Sequence, residues 1–308
     1  HAAGIGAADG ADGSALHCAA VFRHDDRTER ELSELAARHR RPGGVRALFR
    51  GKPLRNIQHA LAARRYDYPH RNLFVAGLPK SGTTWLERML VSVPGYRKWI
   101  PGYIPQTGHD LLPGTLDRPP VGYTVTRVHT QPRRRNLDLL HALGRPYVIL
   151  YRDPRDIVVS SYYYARNDAE VQYHEKALAV DLDGWIDLFI DERLEEYLAW
   201  CIGWLDGRDA ARGAVFRYEE LLRDTAGQLA AILQHFEIDL PSEAIRAIAE
   251  RHSFQQATGR QAGQADNTAF NRKGVAGDWL NHFTDSQRER FRACAGERLE
   301  RIGYTWDD

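Results

Sequence analysis

The tightest constraint on the fold is a short apolar run, Leu73-Phe74-Val75-Ala76, that breaks at Gly77-Leu78-Pro79 and resumes with helical spacing at Trp85, Leu86, Met89, Leu90 and Val93. A four-residue run bounded by turn formers reads as a buried strand, and the 3.6-residue spacing after it reads as a helix. The same order recurs where Tyr147-Val148-Ile149-Leu150-Tyr151 leads through Arg152-Asp153-Pro154 into Ile157, Val158 and on to Tyr164. Pro154 suits a first helical turn, where its missing N–H has no partner to lose. Val215-Phe216-Arg217-Tyr218 before Glu219-Glu220-Leu221-Leu222 is a third candidate unit. Strands without polar alternation, each feeding a helix, belong in a parallel sheet covered on both faces. The chain has 308 residues, a size that buries roughly 75% of the unfolded surface.

Composition narrows the function classes. Hydrophobic residues at 43% and charged residues at 27% are ordinary for a globular domain and exclude a disordered, collagen-like or coiled-coil chain. Lys plus Arg number 42 against 41 Asp plus Glu, a net charge of +1. That balance gives no bulk field for nucleic acid, so no nucleic-acid partner is expected and any anionic ligand must be held by a local cluster. The apolar runs fall far short of the ~18 residues of a membrane helix, so no membrane partner is expected either. Residues 1–14 are rich in Gly, Ala and Asp, without the basic start and apolar run of a signal peptide. Residues 1–16 are read as a flexible lead-in, residues 17–308 as one domain, and the charged stretch 23–41 as a surface helix. Cys18, Cys201 and Cys294 are odd in number and widely spaced. They make no disulfide framework and no metal pair, and point to buried thiols in a cytoplasmic setting with no metal site.

Between the first strand and its helix runs Pro79-Lys80-Ser81-Gly82-Thr83-Thr84-Trp85. Such a loop offers backbone N–H groups and a helix N-terminus to an anion; Gly82 lets the backbone come close, and Lys80, Thr83 and Thr84 add charge and hydroxyl donors. A phosphate is the expected guest. The lysine precedes the glycine, the reverse of G-x-x-x-x-G-K-[ST], which disfavours nucleoside-triphosphatase or kinase chemistry. A P-loop nucleotide kinase or phosphotransferase stays as one alternative, and a catalytically silent nucleotide-binding protein as another.

Three blocks together resemble the sulfotransferases that use 3′-phosphoadenosine 5′-phosphosulfate (PAPS). The loop matches the family's P-K-S-G-T-T-W for the 5′-phosphosulfate. YVILYRDPRDIVVSSYYY resembles its 3′-phosphate strand and helix, with Arg152 and Ser160 at the matching positions. Residues 272–279 resemble its R-K-G-x-x-G-D-W signature. The resemblance, over residues 73–284, implies a single α/β domain with a central parallel sheet flanked by helices, of the P-loop-kinase-like sulfotransferase fold. It implies transfer of a sulfuryl group from PAPS to a hydroxyl, with PAP released. It places the donor on Lys80, Ser81, Gly82, Thr83, Thr84 and Trp85 at one end, and on Arg152, Ser160, Arg272, Lys273 and Gly274 at the other. Trp85, Tyr218, Ser253 and Phe254 are left for the adenine. Residues 259–273, rich in Gly, Gln and Asn, are expected to form a lid.

Among 13 histidines, His129 stands apart because Tyr123-Thr124-Val125-Thr126-Arg127-Val128-His129 alternates like a strand that ends there. The family carries its general base in a K-x-H-x-P-like segment; here Arg127 replaces the lysine and Pro132 lies two residues late. His129 is therefore expected as base, Lys80 as the cation facing the leaving bridging oxygen, and Ser160 as a restraint on Lys80. His109, His141 and His282 are weaker candidates. Trp99, Tyr103 and Ile104 of the 93–116 insertion, joined by Tyr163, are expected to line a pocket for a small phenolic or hydrophobic acceptor. The family's dimer motif is degraded: Leu280 replaces its lysine and Asp285 its valine, with only Thr284 and Glu289 kept, so a monomer or a different dimer is expected.

Overall fold

The computed structural model describes residues 64–104, 109–112, 116 and 122–306. The expected lead-in at 1–16, the 23–41 helix and Cys18 lie outside the described residues. In chain order the strands are β1 (Asn72–Gly77), β2 (Tyr96–Lys98), β3 (Tyr103–Ile104), β4 (Asp110–Leu111), β5 (Tyr123–Val128), β6 (Tyr147–Tyr151) and β7 (Gly213–Arg217). Five form one sheet in the order β2-β5-β1-β6-β7, with every neighbouring pair parallel. The described chain is a single α/β domain with a central parallel sheet flanked by helices.

The apolar runs are buried on both faces. Leu73 and Val75 of β1, with Val148 and Leu150 of β6, enter one core cluster, where they meet Leu86, Met89 and Leu90 of the Thr83–Val91 helix. Phe74 and Ala76, with Tyr147, Ile149 and Tyr151, enter the other, packed under Ile157, Val158, Trp200 and Trp204. Period two along a strand divides these residues between the layers. Two clusters, one on each side of the sheet, are what uninterrupted apolar strands require. The polar start of β1 is satisfied across strands: Asn72 Nδ2 donates to Oγ1 of Thr124 at 2.9 Å and of Thr126 at 2.8 Å.

Three features differ from the sequence reading. The 93–116 insertion supplies the edge strand β2 and the antiparallel β3–β4 pair, elements of two or three residues, too short to carry a period. β5 stops at Val128, so His129 is the first residue beyond the strand. The backbone just after it is pinned, because Trp200 and Trp204 each donate an indole N–H to the carbonyl of Thr130, at 3.0 and 3.3 Å. Cys201 is fully buried, which pushes its thiol pKa up, and Cys294 is half-buried. Among the described residues no helix is long and apolar enough to cross a membrane.

Strand β1 hands over to its helix through a close contact. A Cβ on Gly77 would stand 2.1 Å from the Thr83 methyl. Gly77→Ala should therefore destabilise the protein by about 1–3 kcal/mol, the usual range for overpacking. Adding Thr83→Ser, which removes that methyl, should recover most of the loss in a urea double-mutant cycle; additive losses would show that the methyl is not the obstacle.

Candidate active site

The loop after β1 turns on two left-handed residues, Lys80 at φ 67° and Gly82 at φ 75°. Gly82 is the N-cap of the Thr83–Val91 helix, which has no side-chain cap and no acid in its first turn. Its first N–H groups therefore lack an internal partner and carry the positive end of the helix dipole. A Cβ at Gly82 would meet the Tyr218 ring at 2.7 Å, so the ring's approach requires glycine as much as the backbone angle does. Ser81 is buried, and its hydroxyl has no hydrogen-bond partner.

Lys80 reaches back over aromatic faces, its Nζ 3.9 Å from the centre of the Tyr164 ring and 4.8 Å from that of Phe270. Burial, helped by the Arg152 charge, lowers its pKa to about 8. Ser160 stands one helical turn before Tyr164 and lines the same cavity.

His129 has a defined tautomer. Arg127 Nη1 lies 3.0 Å from Nε2, and a guanidinium can only donate, so Nε2 must accept. Nδ1 lies 2.6 Å from the carbonyl of Gly77, which can only accept, so Nδ1 carries the proton. Burial lowers the pKa of the ring to about 4; the Gly77 bond opposes the shift, and Arg127, His109 and Lys80 add to it. At neutral pH the imidazole is uncharged, with its Nε2 lone pair accepting from Arg127.

A second group of cations sits beyond β6. Arg152 Nη2 donates to Asp156 at 3.0 Å and to the carbonyl of Val275 at 2.9 Å, while its Nε is buried without a partner. Asp156 also accepts the backbone N–H groups of Gly277 and Trp279, at 2.8 and 3.0 Å, tying the C-terminal signature to the Pro154–Asn167 helix. Arg272 and Lys273 both bond Asp278. Burial works to raise the Asp278 pKa, but those bonds outweigh it and hold the carboxyl well below its usual range. A Cβ at Gly274, φ 66°, would fall 2.3 Å from the Phe254 ring.

These groups share one cavity of about 270 Å³. Of the residues singled out in the sequence, Lys80, Gly82, Thr83, Thr84, Trp85, His129, Arg152, Ser160, Tyr218, Phe254, Arg272, Lys273 and Gly274 line it. Five cationic side chains, Arg88 included, face two carboxylates, Asp156 and Asp278. Trp85 and Tyr218 stand edge to face at 6.2 Å, and Trp85 Nε1 donates to the carbonyl of His252 at 2.7 Å.

Residues 70–303 match the family model described as the sulfotransferase domain. The chain belongs to the sulfotransferase domain family. Human sulfotransferase 2A1 is 26% identical over 84% of this chain and 94% of its own length. The guinea pig 3-beta-hydroxysteroid sulfotransferase is 26% identical over 73% of this chain and 82% of its own. Mouse sulfotransferase SULT7A1, solved in complex with PAP, shares the fold with a TM-score of 0.59 at 21% identity, over 78% of this chain and 89% of that one. The nucleotide-kinase alternative is not favoured.

Other expected residues of this sulfotransferase domain stand elsewhere. Ser253 caps the Phe254–Thr258 helix, accepting the N–H of Gln256, and does not line the cavity. Trp99 packs against the core, Tyr163 lies under the Arg272 guanidinium at 4.7 Å, and the backbones of Tyr103 and Ile104 pair with Leu111 and Asp110. His109 has its ring 6.0 Å from that of His129, His141 is exposed, and His282 bonds Asp278. Leu280 is exposed, and Thr284 forms a capping box with Gln287. In the 259–273 segment, the Arg260 guanidinium bonds the carbonyls of Gln264, Asn271 and Arg272. Arg88, Asp156, His252, Phe270 and Asp278 also line the cavity without having been singled out. Asp156 was legible as the i+4 partner of Arg152, and Arg88 as the i+3 neighbour of Trp85; Phe270 carries no local signal.

The Lys80 amine gives a direct check of this geometry. Competitive acetylation read by mass spectrometry should place its half-labelling near pH 8 in the free protein. Adenosine 3′,5′-bisphosphate should protect it, whereas half-labelling near 10.5, unaffected by the nucleotide, would mean a solvated lysine.

Proposed function

We propose that this protein transfers a sulfuryl group from PAPS to a hydroxyl of a small phenolic or hydrophobic acceptor, with PAP as the second product. The observation that carries the reading is that Lys80, His129, Arg152 and Arg272-Lys273 line one cavity. A nucleotide with anionic groups at both ends needs two separated cationic cradles, and the loop after β1 and the Arg152/Arg272/Lys273 group supply them. The donor set fits such a guest. The uncapped helix start and the partnerless Nε of Arg152 are donors suited to an anion, whereas the Ser81 hydroxyl is fully buried and does not line the cavity. The rings of Trp85, Tyr218 and Phe254 offer faces to a purine.

PAPS supplies the activated sulfuryl group. His129 takes the proton of the acceptor hydroxyl on Nε2, while the Nδ1–H bond to Gly77 fixes the ring. Lys80 is the movable cation: leaving the Tyr164 and Phe270 faces, it meets negative charge developing at the 5′ end. The fixed N–H groups of the loop require no reorganisation, which makes such donors a large catalytic contribution. A hydrophobic alcohol as acceptor is supported by the hydroxysteroid-named relative at 26% identity.

In thermal-shift measurements, adenosine 3′,5′-bisphosphate at 100 times its dissociation constant should stabilise the protein by about 2.7 kcal/mol, and ATP at equal concentration by much less. His129→Ala should keep that shift yet lose about 10²–10⁴-fold in turnover of labelled PAPS across a panel of phenols, steroids and amines. Near-normal turnover would remove His129 from the mechanism.

The pH dependence follows from the depressed imidazole pKa. Neutral His129 is the working form, so activity persists as pH falls until the ring protonates near 4. The acidic limb of kcat/KM should therefore lie well below 6.5, the position of an ordinary histidine; a limb at 6.5 or above would contradict a base buried among cations.

A further inference from the structure

Nε2 of His129, the atom that must take the proton, already has a partner in the free protein. Arg127, two residues earlier and still within β5, donates to it at 3.0 Å. Arg127 does not line the cavity. Its Nε stands 3.7 Å from Oε2 of Glu87, a carboxylate 5% exposed on the Thr83–Val91 helix that also accepts from Lys98 Nζ at 2.9 Å. Arg127 Nε and Glu87 Oε1 are both buried without a hydrogen-bond partner. An orphaned donor thus lies in ion contact with a carboxylate that has an orphaned oxygen, and leaving such groups unsatisfied is expensive. The guanidinium has two places to be: donating to His129, or closed onto Glu87 with both orphans satisfied.

We propose that Arg127 is a positioning residue for the base, occupying Nε2 of His129 in the free protein and closing onto Glu87 when the acceptor hydroxyl takes its place. The inference rests on the reading of His129 as the base. While the guanidinium donates to Nε2 that nitrogen cannot bind a proton, so the ring is kept unprotonated until acceptor arrives. The charged and titratable groups facing His129 are Arg127, His109 and Lys80, and each works against protonation. Those facing Arg127 are Glu87, Tyr164 and His109 besides the imidazole itself. Glu87 is the single carboxylate in that set, which makes it the destination of the guanidinium.

The test reads the ring directly, by 15N NMR titration of His129 in the free protein, alongside steady-state kinetics. Arg127→Met, which deletes the donor, should raise the His129 pKa by about one unit or more and move the acidic limb of kcat/KM upward with it; Arg127→Lys should bring both back toward wild type. Glu87→Gln, nearly isosteric, should leave the guanidinium on the ring. The His129 pKa is then not raised, while kcat falls about tenfold with little change in acceptor KM. An unchanged His129 titration in Arg127→Met, or undiminished kcat in Glu87→Gln, would overturn the proposal. Failure of the underlying reading looks different: the ring titration responds as expected, but wild-type protein transfers nothing from PAPS or His129→Ala remains active.

Discussion

Because Lys80 and Gly82 both take positive φ, the chain leaving β1 reverses within a few residues and enters its helix with first-turn N–H groups at the carboxyl edge of the sheet. A left-handed lysine costs roughly 1–2 kcal/mol relative to a right-handed one. Such strain persists only where its surroundings over-determine it. Here Leu78 N–H is tied to the carbonyl of Leu150 at 2.9 Å, Ser81 N–H returns to Leu78 at 3.3 Å, and Thr83 packs over Gly77. The sheet and the helix thus hold the turn from both ends. What they secure is an ammonium and a fan of N–H dipoles aimed into one cavity, and every other part of the site is arranged around that fan.

The charges divide by function. Arg152, Arg272 and Lys273 each have a carboxylate partner, and those partners also carry structure: Asp156 holds two backbone N–H groups of the C-terminal signature, and Asp278 gathers Arg272, Lys273, Asn281 and His282. Removing Asp156 would strand the buried Arg152, a loss of about 3–5 kcal/mol for a buried pair. These three cations are therefore fixed in direction, as a binding cradle should be. Lys80 is different. It rests on the faces of two rings, an attraction of about 0.5–2 kcal/mol, weak enough to be exchanged for an anion and strong enough to park the chain meanwhile. Its lowered pKa of about 8 is the consequence of burial without a counter-ion.

Much of this was legible in the sequence because it rests on local rules. The turn formers after Leu73-Phe74-Val75-Ala76, the proline opening the second helix and the alternation ending at His129 each fix a strand end, and in a parallel sheet the strand ends lie on one edge. What stayed hidden depends on partners distant in sequence. Nothing in the sequence says that Glu87 faces Arg127, that Trp200 and Trp204 grip the carbonyl of Thr130, or that Phe270 covers Lys80. Ser253 has a local use that the sequence also allows: its hydroxyl caps the Phe254–Thr258 helix, a place that Ser favours on general grounds. The short β2 and β3–β4 elements were missed because two or three residues define no period.

The pairing of base and cation is finally a matter of strand register. β1 and β5 are adjacent and parallel, with Ala76 opposite Val128, so the residue that ends β1 stands beside the residue that follows β5. That adjacency lets His129 Nδ1 bond the carbonyl of Gly77, three residues before Lys80. A slip of one residue in β5 would turn its whole side-chain set to the opposite faces, sending Val125 out of its core cluster and the imidazole away from Gly77. The register is held against such a slip by Asn72, which bonds Thr124 and Thr126 together across the strands. A buried amide at the far end of β1 therefore helps decide which atom of His129 can accept a proton at the near end.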